Sequence, residues 1–136
     1  YYMQNMDYKI EQKVDQVMGA CMMMATSDFE KLQGFDEHFF LWFEEVDLQK
    51  RVRNLLKKCV MYTPCTTMIH AKSVSFHQVQ SVTRQRRFNQ SMQWYFRKHH
   101  GRGAAMMIRI VHPLSMFLAM MVTLGHLWKK PNNNLQ

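Results

Sequence analysis

Gly34–Leu48 reads GFDEHFFLWFEEVDL and sets an aromatic block directly against a carboxylate cluster. Phe39, Phe40, Trp42 and Phe43 need burial or a covering ligand, while Glu44, Glu45 and Asp47 resist burial unless paired or working. That conflict is what an active-site lip looks like in sequence. Immediately downstream, Leu48, Val52, Leu55 and Leu56 recur at helical spacing, so Glu44 or Glu45 opens a helix running to about Lys58. Lys50, Arg51, Arg53, Lys57 and Lys58 crowd its other faces. Acids at its N-terminal end and bases toward its C-terminal end suit the helix dipole.

Working outward, Tyr1–Gln16 is polar and reads as peripheral. Val17–Ala25, VMGACMMMA, is an apolar run of strand length that reads as a buried strand, with Gly19 allowing close backbone approach. Ser27-Asp28-Phe29-Glu30 has capping-box spacing and starts a short helix that stops before Gly34. Gly34-Phe35-Asp36-Glu37 is turn chemistry. Cys59–Thr63 and Thr66–His70 read as short strands divided by Pro64, and Ser73–Thr83 as a polar loop. Arg84 to about His100 is a basic, aromatic helix closed by Gly101.

Ile110–Trp128 is nineteen residues without a formal charge, flanked by Arg102, Arg109, Lys129 and Lys130. It falls short of the ~20 apolar residues of a spanning helix. The favoured reading is a membrane-surface or shallowly inserted helix; a single span, and a packed soluble helix or dimer contact, are the alternatives.

A chain of 136 residues with 47% apolar content can fill one core. It starts at Tyr1 without an initiator Met, so a fragment of a longer protein is expected. Fourteen methionines suit adaptable cores and greasy surfaces. Cys21, Cys59 and Cys65 lack metal-type spacing and read as buried or free thiols in a reducing compartment, and no secretory signal is seen. All ten carboxylates lie at or before Asp47, whereas fifteen of the eighteen Lys and Arg follow it. So basic a half expects polyanionic company: phosphates, nucleic acid or an anionic membrane face.

Five strings then line up in order with natural spacing: Gly19-Ala20-Cys21, Gly34-Phe35-Asp36-Glu37, Phe39 to Asp47 with Arg51, Pro64 to His70, and Tyr95 to Gly101. Over roughly Val14–Gly103 the chain resembles the C-terminal half of the catalytic domain of family 2 glycosyltransferases, the rhamnosyltransferase-like branch in particular. The resemblance implies an α/β fold: a partial GT-A domain, its acceptor-side half, followed by C-terminal helices. It divides the chain into 1–103 (catalytic-domain part), 104–130 (apolar, membrane-associating tail) and 131–136 (polar tail).

The implied activity is inverting transfer of a sugar from a nucleotide-sugar donor to a glycan or lipid-linked acceptor, in surface-polysaccharide synthesis at the cytoplasmic membrane face. Glu45 stands where the family's second acid acts as base, with Glu44 before it, so that ED has become EE; burial beside Trp42 would raise its pKa. Asp47 reads as a structural partner of a neighbouring Arg or Lys. Trp42 offers a stacking face for an acceptor sugar, with Asp36 and Glu37 reaching acceptor hydroxyls, although at least two of the four aromatics should be core. Ser75, Arg84, Arg97 and Lys98, with Arg86 and Arg87 nearby, are the implied phosphate-binding residues.

His70 is the implied ligand of a divalent cation, Mg²⁺ or Mn²⁺, held mostly by residues outside this chain. No nucleic acid is expected, a homodimer is conceivable, and the fragment alone is expected to be inactive. The competing reading is a non-catalytic basic binding module or degenerate remnant contacting membrane or nucleic acid.

Overall fold

Helix α2, Glu44–Leu55, carries the centre of the first of two compact units, Tyr1–Ala71 and Lys72–Gln136. The computed structural model describes residues 6–69 and 81–128. Their elements run β1 (Gln12–Val14), α1 (Thr26–Lys31), α2, β2 (Val60–Tyr62) and α3 (Ser81–Trp128). β1 and β2 pair antiparallel in one small sheet, with Gln12 opposite Tyr62 and Val14 opposite Val60. Tyr62 Oη donates to the Tyr8 carbonyl at 3.0 Å, and the two rings meet edge-on.

The core of the first unit is small: Val14, Leu32, Phe39, Leu48 and Val60 are its buried apolar residues. Polar clamps reinforce it. Arg51 donates from Nε to Asp47 Oδ2 (2.7 Å) and from its two terminal nitrogens to the carbonyls of Leu32 (2.6 Å) and Gly34 (2.8 Å). One guanidinium thus ties α2 to the end of α1 through its planar fork. Asp47, wholly buried at 0% exposure, is the structural partner of an arginine, as its sequence position implied. Lys58 Nζ adds a 2.5 Å bond to Asp28.

α1 ends in a left-handed turn: Gln33 (φ 60°) donates to Glu30 O, and Gly34 (φ 70°) donates to Phe29 O. This is the paired closure typical of helix C-termini, and it stops the helix before Gly34 as the sequence indicates.

Several expectations are corrected. Residues 17–25 are not a buried strand: Met18 to Cys21 forms a turn and Met23 is 97% exposed. Among the described residues this run has no ladder partner, and a strand needs one. Instead β1 falls within the stretch read as peripheral, and its Val14 is buried. The N-cap of α1 is Ala25 without a side-chain bond, so Ser27 lies inside the helix and caps nothing. α2 stops at Leu55, short of Lys58, and Leu55 is exposed; Lys57 turns left-handed and leads toward β2. Residues 66–69 form no strand, whereas the three cysteines are free thiols, one of the two states expected of them, and all are exposed.

In the second unit α3 breaks at Gly101 (φ 87°, ψ 177°), a conformation essentially reserved for glycine. The arm before it (81–100) and the arm after it (102–128) form a hairpin. Asn89 Nδ2 donates to Ser115 Oγ at 2.6 Å, Gln85 Nε2 donates to Asn89 Oδ1 at 3.0 Å, and Ser115 Oγ donates in turn to the His112 carbonyl at 2.8 Å. Pro113 removes one helical N–H donor in the same turn. Helix begins by Ser81, inside the stretch read as loop.

Candidate active site

The aromatic–acidic stretch folds as a strained entry into α2. Trp42 (φ 63°) and Phe43 (φ 69°) are both left-handed, a conformation costing side-chain-bearing residues about 1–2 kcal/mol each. Phe43 is the N-cap of α2 and contributes only its backbone, its carbonyl accepting from Asp47 N at 2.8 Å. Phe39 alone of the four aromatics is buried; Trp42 and Phe43 are half-buried and Phe40 is 71% exposed. The expectation of two or more core aromatics is therefore corrected.

Two carboxylates follow at once. Glu45 is only 9% exposed, and its Oε2, like that of Glu44, is buried without a hydrogen-bond partner among the described residues. Burial pushes the Glu45 carboxyl above the ordinary carboxylate value. The backbone N–H groups of Glu45 and Val46, open at the helix start, oppose that rise, and the Glu44 charge reinforces it. A carboxylate so placed is a stronger base than one in water, and it has unused acceptor capacity.

The segment read as close-approaching does approach. A Cβ added to Gly19 would stand 3.2 Å from Glu45 Cβ, so the glycine lets the chain lie directly on the acid's stem. One turn further along α2, Gln49 holds that segment: its Oε1 accepts from Val17 N at 2.6 Å and its Nε2 donates to Val17 O at 2.8 Å. Asp36 is engaged locally, its Oδ1 accepting from His38 N at 3.0 Å and lying 2.8 Å from His38 Nδ1. Glu37 is exposed.

The implied phosphate ligands lie in the second unit or outside the described residues. Arg84 is exposed and lines a cleft of about 410 Å³ with Gln85, Ser115, Leu118, Ala119 and Val122. Arg97 stacks over the Trp94 ring at 5.8 Å, and Lys98 is exposed. His70 and Ser75 fall outside the described residues. Among the described residues no three His, Cys, Asp or Glu side chains converge as a metal requires.

Sequence reading missed the Gln49 clamp, because a glutamine on a helix carries no mark of the backbone it will grip. It also missed a basic cleft of about 450 Å³ where Lys13 of β1 joins Arg53, Lys57, Lys58 and Cys59. The bases on α2 were visible in the sequence, whereas the strand beside them was not.

Comparison with known proteins bears on this geometry. The family described as the N-terminal domain of galactosyltransferase matches residues 1–77. Over 65 residues the chain is 34% identical to the N-acetylglucosaminyl-diphospho-decaprenol L-rhamnosyltransferases of two Mycobacterium tuberculosis strains. The aligned part is 48% of this chain and only 21% of those relatives, so the chain spans about a fifth of their length. No solved structure matches. The family match takes in more than half of the residues, including the strained aromatic turn and both acids, and the chain belongs to this family of glycosyltransferase domains, with a family 2-like character.

Proposed function

We propose that this chain forms the acceptor-side part of an inverting glycosyltransferase, with Glu45 as the general base. The observation that carries the reading is the buried, unpartnered Glu45 Oε2 at the start of α2, raised in basicity by burial and reached through two left-handed aromatic residues. In the proposed step the Glu45 carboxylate takes the proton of an acceptor hydroxyl. The hydroxyl oxygen bonds to the anomeric carbon, and the bond from that carbon to the donor's phosphate oxygen breaks, releasing a nucleoside diphosphate.

Trp42 gives the acceptor sugar a half-buried face to stack on. Glu37 is the better placed of the two turn acids for an acceptor hydroxyl, since one Asp36 oxygen already serves His38. Arg84, Arg97 and Lys98 remain in the proposal as phosphate-binding cations on their chemistry. The names of the relatives favour a rhamnosyl donor and an acceptor carried on a lipid diphosphate. A divalent cation belongs to the reading through the family resemblance only.

The deciding experiment places the chain in its full-length context and assays sugar transfer from a panel of nucleotide sugars. Glu45→Gln should abolish transfer with the fold intact, and Glu45→Asp should retain part of it. Unchanged turnover in Glu45→Gln removes Glu45 as base.

A further inference from the structure

The α3 hairpin joins its arms through a buried polar contact and exposes a broad apolar face. Asn89 (4% exposed) is buried and bonded to both Gln85 and Ser115. The outer face of the second arm holds large apolar side chains. Met106, Ile110, Leu114, Phe117, Met121 and Leu124 recur three or four residues apart on the second arm, and all are exposed. The less exposed residues of that arm over 104–123 are mostly small or polar, among them Ala105, His112, Ser115 and Thr123, with Ile108 and Met116 the two large apolar ones. Within α3 an 18-residue stretch reaches mean hydropathy 1.7 yet is only 6% buried.

Large apolar side chains turned outward, with a hydrogen-bonded polar contact between the arms, suit a hydrocarbon medium on the outer side. In water that side would be a contiguous exposed apolar patch.

Charge names the medium further. No carboxylate occurs from Leu48 onward, while the described part of α3 carries Arg84, Arg86, Arg87, Arg97, Lys98, Arg102 and Arg109. Arg102 and Arg109, seven residues apart, share one flank of the apolar face. The distribution also argues against both arms crossing the bilayer together. The Asn89–Ser115 bond holds the arms side by side, and the first arm has cations toward both of its ends, with only 88–96 free of charge between Arg87 and Arg97. Nine helical residues cover about 14 Å, half of a hydrocarbon core of roughly 30 Å.

We propose that the α3 hairpin lies in the plane of an anionic phospholipid bilayer, the outer face of its second arm sunk among the acyl chains and its arginines and Lys98 at the lipid phosphates. This membrane surface is independent of the transfer reaction, and a hairpin that binds lipid in a protein without Glu45-dependent turnover would separate the two readings.

The full chain is tested by flotation with phosphatidylcholine vesicles, with and without phosphatidylglycerol. The native chain should float with the mixed vesicles. Leu114→Gln with Phe117→Gln, both exposed and away from the inner face, should lower partitioning by about tenfold or more while circular dichroism stays unchanged. Arg102→Gln with Arg109→Gln should remove most of the preference for the anionic vesicles. Orientation is read with nitroxides at Ile110→Cys and Leu124→Cys, in a chain whose native cysteines are replaced by Ser: equal shallow depth is expected. Failure of the helical chain to float, indifference to the Gln pair, or depth increasing from 110 to 124 would each overturn the proposal. So would a stable dimer in sedimentation that the same Gln pair dissolves, since the face would then belong to a second copy.

Discussion

Gln49 grips Val17 at both ends of its amide, 2.6 Å to the N–H and 2.8 Å from the carbonyl, one helical turn beyond Glu45. This mimics a strand pairing in a segment that has no ladder, and it brings Gly19 down onto the Glu45 stem. Helix α2 therefore presents the acid and also fixes the chain that covers it.

Gln49→Leu keeps the volume and deletes both bonds, leaving the Val17 backbone groups without their partner. The expected loss is about 1–3 kcal/mol of stability in the first unit, read as a lower urea midpoint. Because the freed segment lies on Glu45, transfer in the full-length context should fall further than stability does.

Glu45 itself should be a stability liability. Its pKa is raised on folding, so the folded state binds more protons than the unfolded one between the ordinary value and the raised value. Stability is greatest below that window, falls as pH rises through it, and stays lower above. Glu45→Gln should remove this fall and stabilise the unit at neutral pH by about 1 kcal/mol, while abolishing transfer. Urea midpoints from pH 4 to 8 for both proteins check it; a flat native profile or a destabilised Gln variant would refute the assignment.

The three bonds of Arg51 predict an opposite kind of result. Arg51→Ala takes the cation away from the buried Asp47 carboxylate and releases the carbonyls of Leu32 and Gly34, for an expected loss of about 3–5 kcal/mol. Arg51→Lys keeps the charge but not the fork, so it should recover only part of this. Thermal unfolding by circular dichroism distinguishes the three proteins.

How far these features were legible in the sequence depends on how local their causes are. The start of α2 was legible because acids, apolar spacing and bases all agree there, and the end of α1 because Gly34 favours a left-handed turn. Asp47 was legible as a structural partner of a neighbouring Arg or Lys, and the structure gives that partner as Arg51, four residues on. The reading failed where non-local pairing decides. VMGACMMMA has strand composition but no partner among the described residues, whereas polar Gln12–Val14 becomes a strand because Val60–Tyr62 lies beside it. The left-handed backbone of Trp42 was not legible, since no propensity places an aromatic there. The tail was legible as an apolar helical run. Its hydrogen-bonded interior was not, because Asn89 and Ser115 are 26 residues apart.

Gly101 carries the last prediction. At φ 87° and ψ 177° it breaks α3 in a conformation that a side chain makes costly by about 1–3 kcal/mol, although no atom stands within 4 Å of an added Cβ. Gly101→Ala should therefore act through the backbone alone, favouring helical geometry at that residue and straightening the hairpin. Residues 86 and 118, both exposed, then move apart. In a continuous helix they would lie about 48 Å from each other, whereas packed arms hold their axes about 8–10 Å apart. Nitroxides at Arg86→Cys and Leu118→Cys, in a chain whose native cysteines are Ser, read this by pulsed electron resonance. A short distance in the glycine protein and a long or mixed distribution in the alanine variant is expected. Equal short distances would mean that the Asn89–Ser115 bond and its neighbours hold the hairpin without help from Gly101, and would move the origin of the bend from the backbone to the polar interior.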